Sequence, residues 1–161
     1  MVVTALLLLM MSTAPAGKDP CDAGRIDGAD DALTIVFSGA DWKVSYEEGS
    51  TTYENRLFVS GGGSDLQEGF AIGAMLTNGT AIHFKLAEKA EARSHTNETG
   101  TFTEWQTAFP VDDEMLAKLA TAPITAVRAD MGTGPVTTEV SKGRGKKLHN
   151  AFKCIAAQIA Q

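Results

Sequence analysis

Phe70-Ala71-Ile72-Gly73-Ala74-Met75-Leu76-Thr77-Asn78-Gly79-Thr80-Ala81-Ile82-His83-Phe84-Lys85-Leu86 is the stretch that decides the fold. Two apolar runs flank Asn78-Gly79. That dipeptide favours a tight antiparallel hairpin, because a type I′ turn needs positive φ at both central residues. A two-residue loop would set Met75 opposite Ile82 and Gly73 opposite Phe84. Ile82, Phe84 and Leu86 then share one face, and His83 and Lys85 the other. Phe70, Ile72 and Leu76 make the second face of the first strand apolar too, so part of this hairpin is expected to be covered on both sides.

Outward from the hairpin, the same period of two recurs. Leu33–Phe37 is a short apolar run. Trp42, Val44 and Tyr46 alternate with Lys43 and Ser45, and Glu47-Glu48-Gly49-Ser50 reads as a turn. Arg56–Ser60 is a further strand. Gly61-Gly62-Gly63 precedes a strand rather than a helix, and so reads as a hairpin connection and not a phosphate loop. Residues 88–100 are polar and read as a loop. Thr101–Phe109 alternates again.

The period then changes. Val111–Ala120 opens with Asp112, Asp113 and Glu114, which suit a helix N-terminus, and stops before Pro123. Ile124–Ala129 and Val136–Val140 form two more strands. From about Lys146, Leu148, Phe152, Ile155 and Ile159 repeat at helical steps. About eight strands are thus grouped rather than alternating with helices. The expected fold is α+β: a mostly antiparallel sheet or partly open barrel, with two helices, the second C-terminal.

The N-terminus predicts export. Ala5–Met11 is uncharged and apolar, too short to span a bilayer, and followed by Ala14-Pro15-Ala16. Residues 1–16 therefore read as a signal peptide, 17–31 as an extended lead-in and 32–161 as one domain. No Lys or Arg precedes the apolar run, which leaves room for a start upstream of Met1. The chain is expected to be periplasmic or secreted, without stable membrane insertion once the signal is removed. An oxidising compartment and an even cysteine count predict a Cys21–Cys154 disulfide.

The 161 residues are 43% hydrophobic and 21% charged, enough for one self-sufficient core. A net charge of -6 argues against nucleic acid or an anionic membrane as the main partner. The expected partner is a protein or a small molecule.

No residue pattern names a reaction. Lys142, Arg144, Lys146 and Lys147 form a basic run between a strand and a helix, where backbone N–H groups favour anions. The spacing is not that of a Walker A motif. Trp42, Tyr46 and Trp105 are strand aromatics that would make a ligand or partner surface if they share an open face. Glu104, His95 and His83 are the residues from which a loop-built hydrolase site would draw, although the triad-bearing G-x-S-x-G turn is missing. His83, His95 and His149 lack metal-binding spacing, and neither cysteine lies in a C-x-x-C. No cofactor or metal is expected. Asn78-Gly-Thr80 and Asn97-Glu-Thr99 match the glycosylation sequon. These features predict a non-catalytic exported domain with a binding or accessory role in the cell envelope or outside the cell. A small hydrolase and an anion-binding domain are the alternatives.

Overall fold

The computed structural model describes residues 21–27, 33–130 and 134–161. The signal peptide expected over residues 1–16 lies outside the described residues. Among the described residues, ten strands and two helices follow in order: β1 (Arg25–Asp27), β2 (Thr34–Ser38), β3 (Trp42–Glu47), β4 (Ser50–Ser60), β5 (Ala71–Leu76), β6 (Ala81–Lys85), β7 (Ala92–Asn97), β8 (Gly100–Val111), α1 (Asp113–Leu119), β9 (Ile124–Asp130), β10 (Pro135–Glu139) and α2 (Lys142–Ile159). All pairing is antiparallel, in two open sheets ordered β1-β2-β3-β4-β8-β7 and β10-β9-β5-β6. The fold is therefore the expected α+β class, with two sheets in place of one.

The deciding hairpin forms with a different register. Ala74 faces Ile82 and Ile72 faces Phe84, one residue away from the two-residue-loop pairing. Thr77-Asn78-Gly79 makes a three-residue loop: the Leu76 amide donates to the Thr80 carbonyl, and the Gly79 amide to the Leu76 carbonyl. Only Gly79 takes positive φ, at 82°, so a type I′ turn does not form. Asn78 instead accepts from the Thr80 amide at 3.0 Å and donates to Thr121 Oγ1 at 3.1 Å. The physical gain lies in patterning. This register puts Ile72, Ala74, Leu76, Ile82 and Phe84 on one buried face and turns Met75 outward, so the hairpin is buried on one side.

Other segments differ from the sequence reading, among them β4, which starts at Ser50 rather than Arg56. Residues 92–97, taken as loop, form β7 at the edge of the first sheet; their polarity suits an edge strand with an exposed face. Gly61-Gly62-Gly63 does not close a hairpin but opens the crossing from β4 to β5 in the other sheet. A Cβ at Gly63 would fall within the Trp105 ring, so close approach is what requires that glycine. Finally, α2 starts at Lys142, not Lys146, with Ser141 as its N-cap, and so takes in the basic run. Gly143 and Gly145 disfavour helix by propensity. Gly145 is retained by packing, since a Cβ there would strike the Ile124 carbonyl of β9.

The two sheets pack through Tyr53, Phe109 and Phe84, and α2 adds Phe152, Leu148 and Ile155. Ile159, expected on the same stripe, is 39% exposed. Asp112 caps α1 by accepting from the Met115 amide at 2.7 Å. Cys21 and Cys154 form the disulfide, tying the segment before β1 to the buried side of α2 across 133 residues.

Candidate functional site

Alternation along β4 turns Thr51, Tyr53, Asn55, Leu57 and Val59 to the side that faces the second sheet. Paired across β8, these rungs are Thr51 with Val111, Tyr53 with Phe109, Asn55 with Thr107, Leu57 with Trp105 and Val59 with Thr103. The Tyr53 rung is filled. Its ring lies 5.2 Å from Phe84, 6.2 Å from Phe109 and 6.0 Å from Phe152.

Beyond Asn55 the β4 side of the rungs is only half-buried, while Trp105 and Thr103 opposite stay buried. β3 pairs with β4 only as far as Trp42 opposite Asn55, so residues 56–60 have β8 as their one strand neighbour. Leu57 and Val59 stand half-buried across from Val127 and Ala129 of β9 and Val136 of β10. With Val140 they line a solvent-open cavity of about 150 Å³ between the sheets, to which the exposed Arg56, Phe58 and Thr138 also belong.

A polar cluster separates this cavity from the filled core. Arg144, in the first turn of α2, is the one member of the basic run that turns inward. Its Nη2 donates to Asn55 Oδ1 at 2.7 Å, and its Nη1 is hydrogen-bonded and ion-paired to Asp41 Oδ2. Asn55 is buried, and its carbonyl accepts from Thr107 Oγ1 at 2.8 Å. Asp41 belongs to the β2–β3 turn and is anchored by its own carbonyl, which accepts from the Arg56 amide. That turn is tight because Gly39 packs against the Trp42 indole, where a Cβ has no room. Arg144 Nε is the one buried side-chain nitrogen or oxygen among the described residues without a hydrogen-bond partner. Burial pushes the Tyr53 hydroxyl above its usual pKa of 10.0, against the pull of the neighbouring Arg144 charge.

The other expected residues lie elsewhere. Lys142, Lys146 and Lys147 are exposed on the first two turns of α2. Lys147 borders an open depression shared with Glu139 and Asp41, so the bases there face acids. Trp42 and Trp105 are buried, and the Trp105 indole N–H donates to the Ser64 carbonyl at 3.0 Å; Tyr46 is half-buried against the core. The edge of Trp42 reaches two surface depressions next to Asp41.

Glu104 and His95 do come together. His95 Nε2 lies 2.7 Å from Glu104 Oε2, Arg56 Nε lies 3.6 Å from Glu104 Oε1, and the imidazole stacks on Phe102 at 5.2 Å. This pair sits on the outer face of the first sheet, beside the exposed Phe58. His83 lies in the second sheet, paired with Gly73. His149 bonds the Ala120 carbonyl at the end of α1. Asn78 and Asn97 both stand in exposed hairpin turns.

Asp41 and Asn55 went unread in the sequence. The available signal was Asn55 itself, a polar residue in phase with Tyr53, Leu57 and Val59. Starting the strand at Arg56 hid that phase.

Comparison of the chain with protein-family models, with curated proteins and with solved structures returns no match.

Proposed function

We propose that this chain is an exported, disulfide-closed binding domain that holds a small molecule between its two sheets, without catalysing a reaction on it. The cavity walled by Leu57, Val59, Val127, Ala129, Val136 and Val140 carries the reading. Its lining is mostly apolar, with Asp41, Asn55, Arg56, Thr138 and Arg144 as the polar members, a mixture of the kind found in small-molecule sites. Two further features are in keeping with it. The disulfide suits an oxidising compartment. No helix among the described residues is long and apolar enough to cross a membrane.

The two alternatives have less support. An anion held by residues 142–147 would compete with Asp41 and Asn55 for Arg144. A hydrolase built on His95 and Glu104 would work on an open sheet face, where nothing excludes water.

The reading is tested by filling the cavity. Val136→Phe adds a ring at its half-buried wall. In the wild-type protein, small aromatic compounds should shift amide resonances of β4, β9 and β10 in a saturable way. The variant should fold and lose those shifts. Equal shifts in both proteins, or none in the wild type, would remove the cavity as the binding site.

A further inference from the structure

We infer that β4 carries a docking edge at residues 57–60, and that its occupant is the same segment of a second copy of this chain, paired antiparallel about a two-fold axis at Val59. This goes beyond the proposed cavity ligand and does not depend on it.

The edge is open because β3 is shorter than β4. β3 begins at Trp42, opposite Asn55, and the Asp41 carbonyl before it accepts from the Arg56 amide. On the other side of β4, the Gly61 amide donates to the Thr101 carbonyl of β8. These two bonds fix the alternation. Even-numbered residues aim their backbone groups toward the β3 side, and odd-numbered ones toward β8. The amides and carbonyls of Phe58 and Ser60 therefore point to a side where no strand lies among the described residues. Phe58 is also the most exposed large apolar side chain among those residues, at 49%.

Unpaired edges are ordinarily blunted by charge or proline. The outermost strands of both sheets follow that rule, with Arg25 and Asp27 in β1, Arg93 in β7, Lys85 in β6, and Pro135 and Glu139 in β10. Leu57-Phe58-Val59-Ser60 has neither charge nor proline.

The geometry limits what can pair there. Asp41 fills the place opposite Arg56, so a new strand pairs only from Leu57 onward. Gly61, at φ 93°, ends the line of β4, and Gly63 lies against Trp105 of β8, which leaves the edge clear. Set against its own copy about Val59, Phe58 stands opposite Ser60 of the second copy, and Ser60 opposite its Phe58. Each outward amide of both copies then finds a carbonyl. Val59 meets Val59 on the face toward the second sheet. The small Ser60 leaves room beside Phe58, and the two phenyl rings lie diagonally across the pair, within aromatic reach. No like charges meet. A two-fold at Phe58 would instead put Ser60 of the second copy onto Asp41. The segment thus has the apolar inner residue, the small outer residue and the length that its own edge accepts, which selects a copy over an unrelated strand. So short a contact buries little surface, and the association belongs in the upper micromolar range.

The test follows the disulfide-closed protein by sedimentation velocity and amide exchange from micromolar to millimolar concentration. A dimer should appear at the upper end. With it, the Phe58 and Ser60 amides should exchange several-fold more slowly than in dilute protein. Those of Leu57 and Val59, bonded to β8 in either state, should not change. Val59→Lys and Val59→Glu each place like charges opposite one another across the axis and should stay monomeric, while an equimolar mixture should recover the dimer. Should a charge at the half-buried Val59 prevent folding, Ser60→Pro removes an outward amide without touching the pairing to β8, and it should also stay monomeric. A wild-type protein that is monomeric throughout overturns the inference and leaves the edge to a foreign strand. So does a dimer whose Phe58 and Ser60 amides exchange as in the monomer, because another face then joins the copies. Charged variants that dimerise like the wild type, or a mixture that does not recover, overturn the axis at Val59. All are read without added ligand, so the outcome is independent of the cavity's own test.

Discussion

Asn55 and Arg144, 89 residues apart, meet at 2.7 Å and divide the space between the sheets into a filled part and a cavity. Asn55 lies between Tyr53, at the centre of the aromatic core, and Leu57, on the cavity wall. Arg144 reaches it from the helix that closes the chain. The contact therefore joins the first sheet to α2 by a charge-assisted bond in a largely buried place, where such bonds are strongest.

Removing either partner should be felt in the folding equilibrium. Arg144→Met leaves Asn55 and Asp41 without their donor, and a loss of about 2 kcal/mol is expected, given the exposure that Asp41 retains. Arg144→Lys should recover only part, since an ammonium lacks the planar fork that serves both acceptors. Urea unfolding of Asn55→Ala, of Arg144→Met and of the variant carrying both gives the coupling directly. Additive losses would mean that the two side chains do not interact in solution.

Two glycines of α2 should respond in opposite directions to the same change. Gly143 has open space where a Cβ would sit. Gly143→Ala should gain about 0.5–1 kcal/mol, the ordinary helix-propensity difference. Gly145→Ala has the same propensity gain, but its Cβ meets the Ile124 carbonyl. Backbone cannot step aside as a flexible side chain can, so a net loss of about 1–3 kcal/mol is expected. Thermal unfolding of the pair checks the assignment. A stabilised Gly145→Ala would show that α2 does not lie against β9 as described.

The same residues explain how much of this molecule could be read from its sequence. Strand and helix types were legible wherever period and composition agreed, as in β3, β6, β8 and α1. They failed where tertiary contact overrode a local rule. Glycines at 143 and 145 read as a turn, because nothing local announces that Gly145 lies under a carbonyl of β9. Asn78-Gly79 read as a two-residue turn, while burial of Ile72, Ala74 and Leu76 on one face selected the other register. Of the cavity's polar end, Arg144 was visible as a base near a helix. Asp41 and Asn55 were not, since their role depends on partners about a hundred residues away.

The disulfide should be the largest single contribution to stability. Closing a loop of 133 residues is worth up to about 5 kcal/mol in the chain-entropy model. Cys21→Ser with Cys154→Ser should therefore lower the unfolding free energy by about 3–5 kcal/mol. β1 pairs with β2 over three residues only, so its amides should lose exchange protection first. The rest of α2 keeps Leu148, Phe152 and Ile155 in the core and should stay protected longer. A change under about 1 kcal/mol would mean that β1 is held by other contacts.

Alkali offers a test of the core behind the Asn55–Arg144 contact. Burial is the main reason that the Tyr53 hydroxyl titrates above 10.0, and the Arg144 charge opposes it without reversing it. In the unfolded chain the same hydroxyl ionises near pH 10. Above that pH the unfolded state holds fewer protons than the native one, so stability falls as pH rises. The contribution of this group is thus complete below about pH 10 and is lost as pH climbs through the raised native value. Tyr53→Phe removes the titrating group, and its unfolding free energy should fall less steeply over the same range. The chain has two tyrosines, Tyr46 and Tyr53, so tyrosinate absorbance in the folded protein should show one of them ionising late. If Arg144→Met is examined in the same way, the late step should move still higher, because the opposing positive charge is gone. A step that moves lower would place Arg144 away from the Tyr53 hydroxyl.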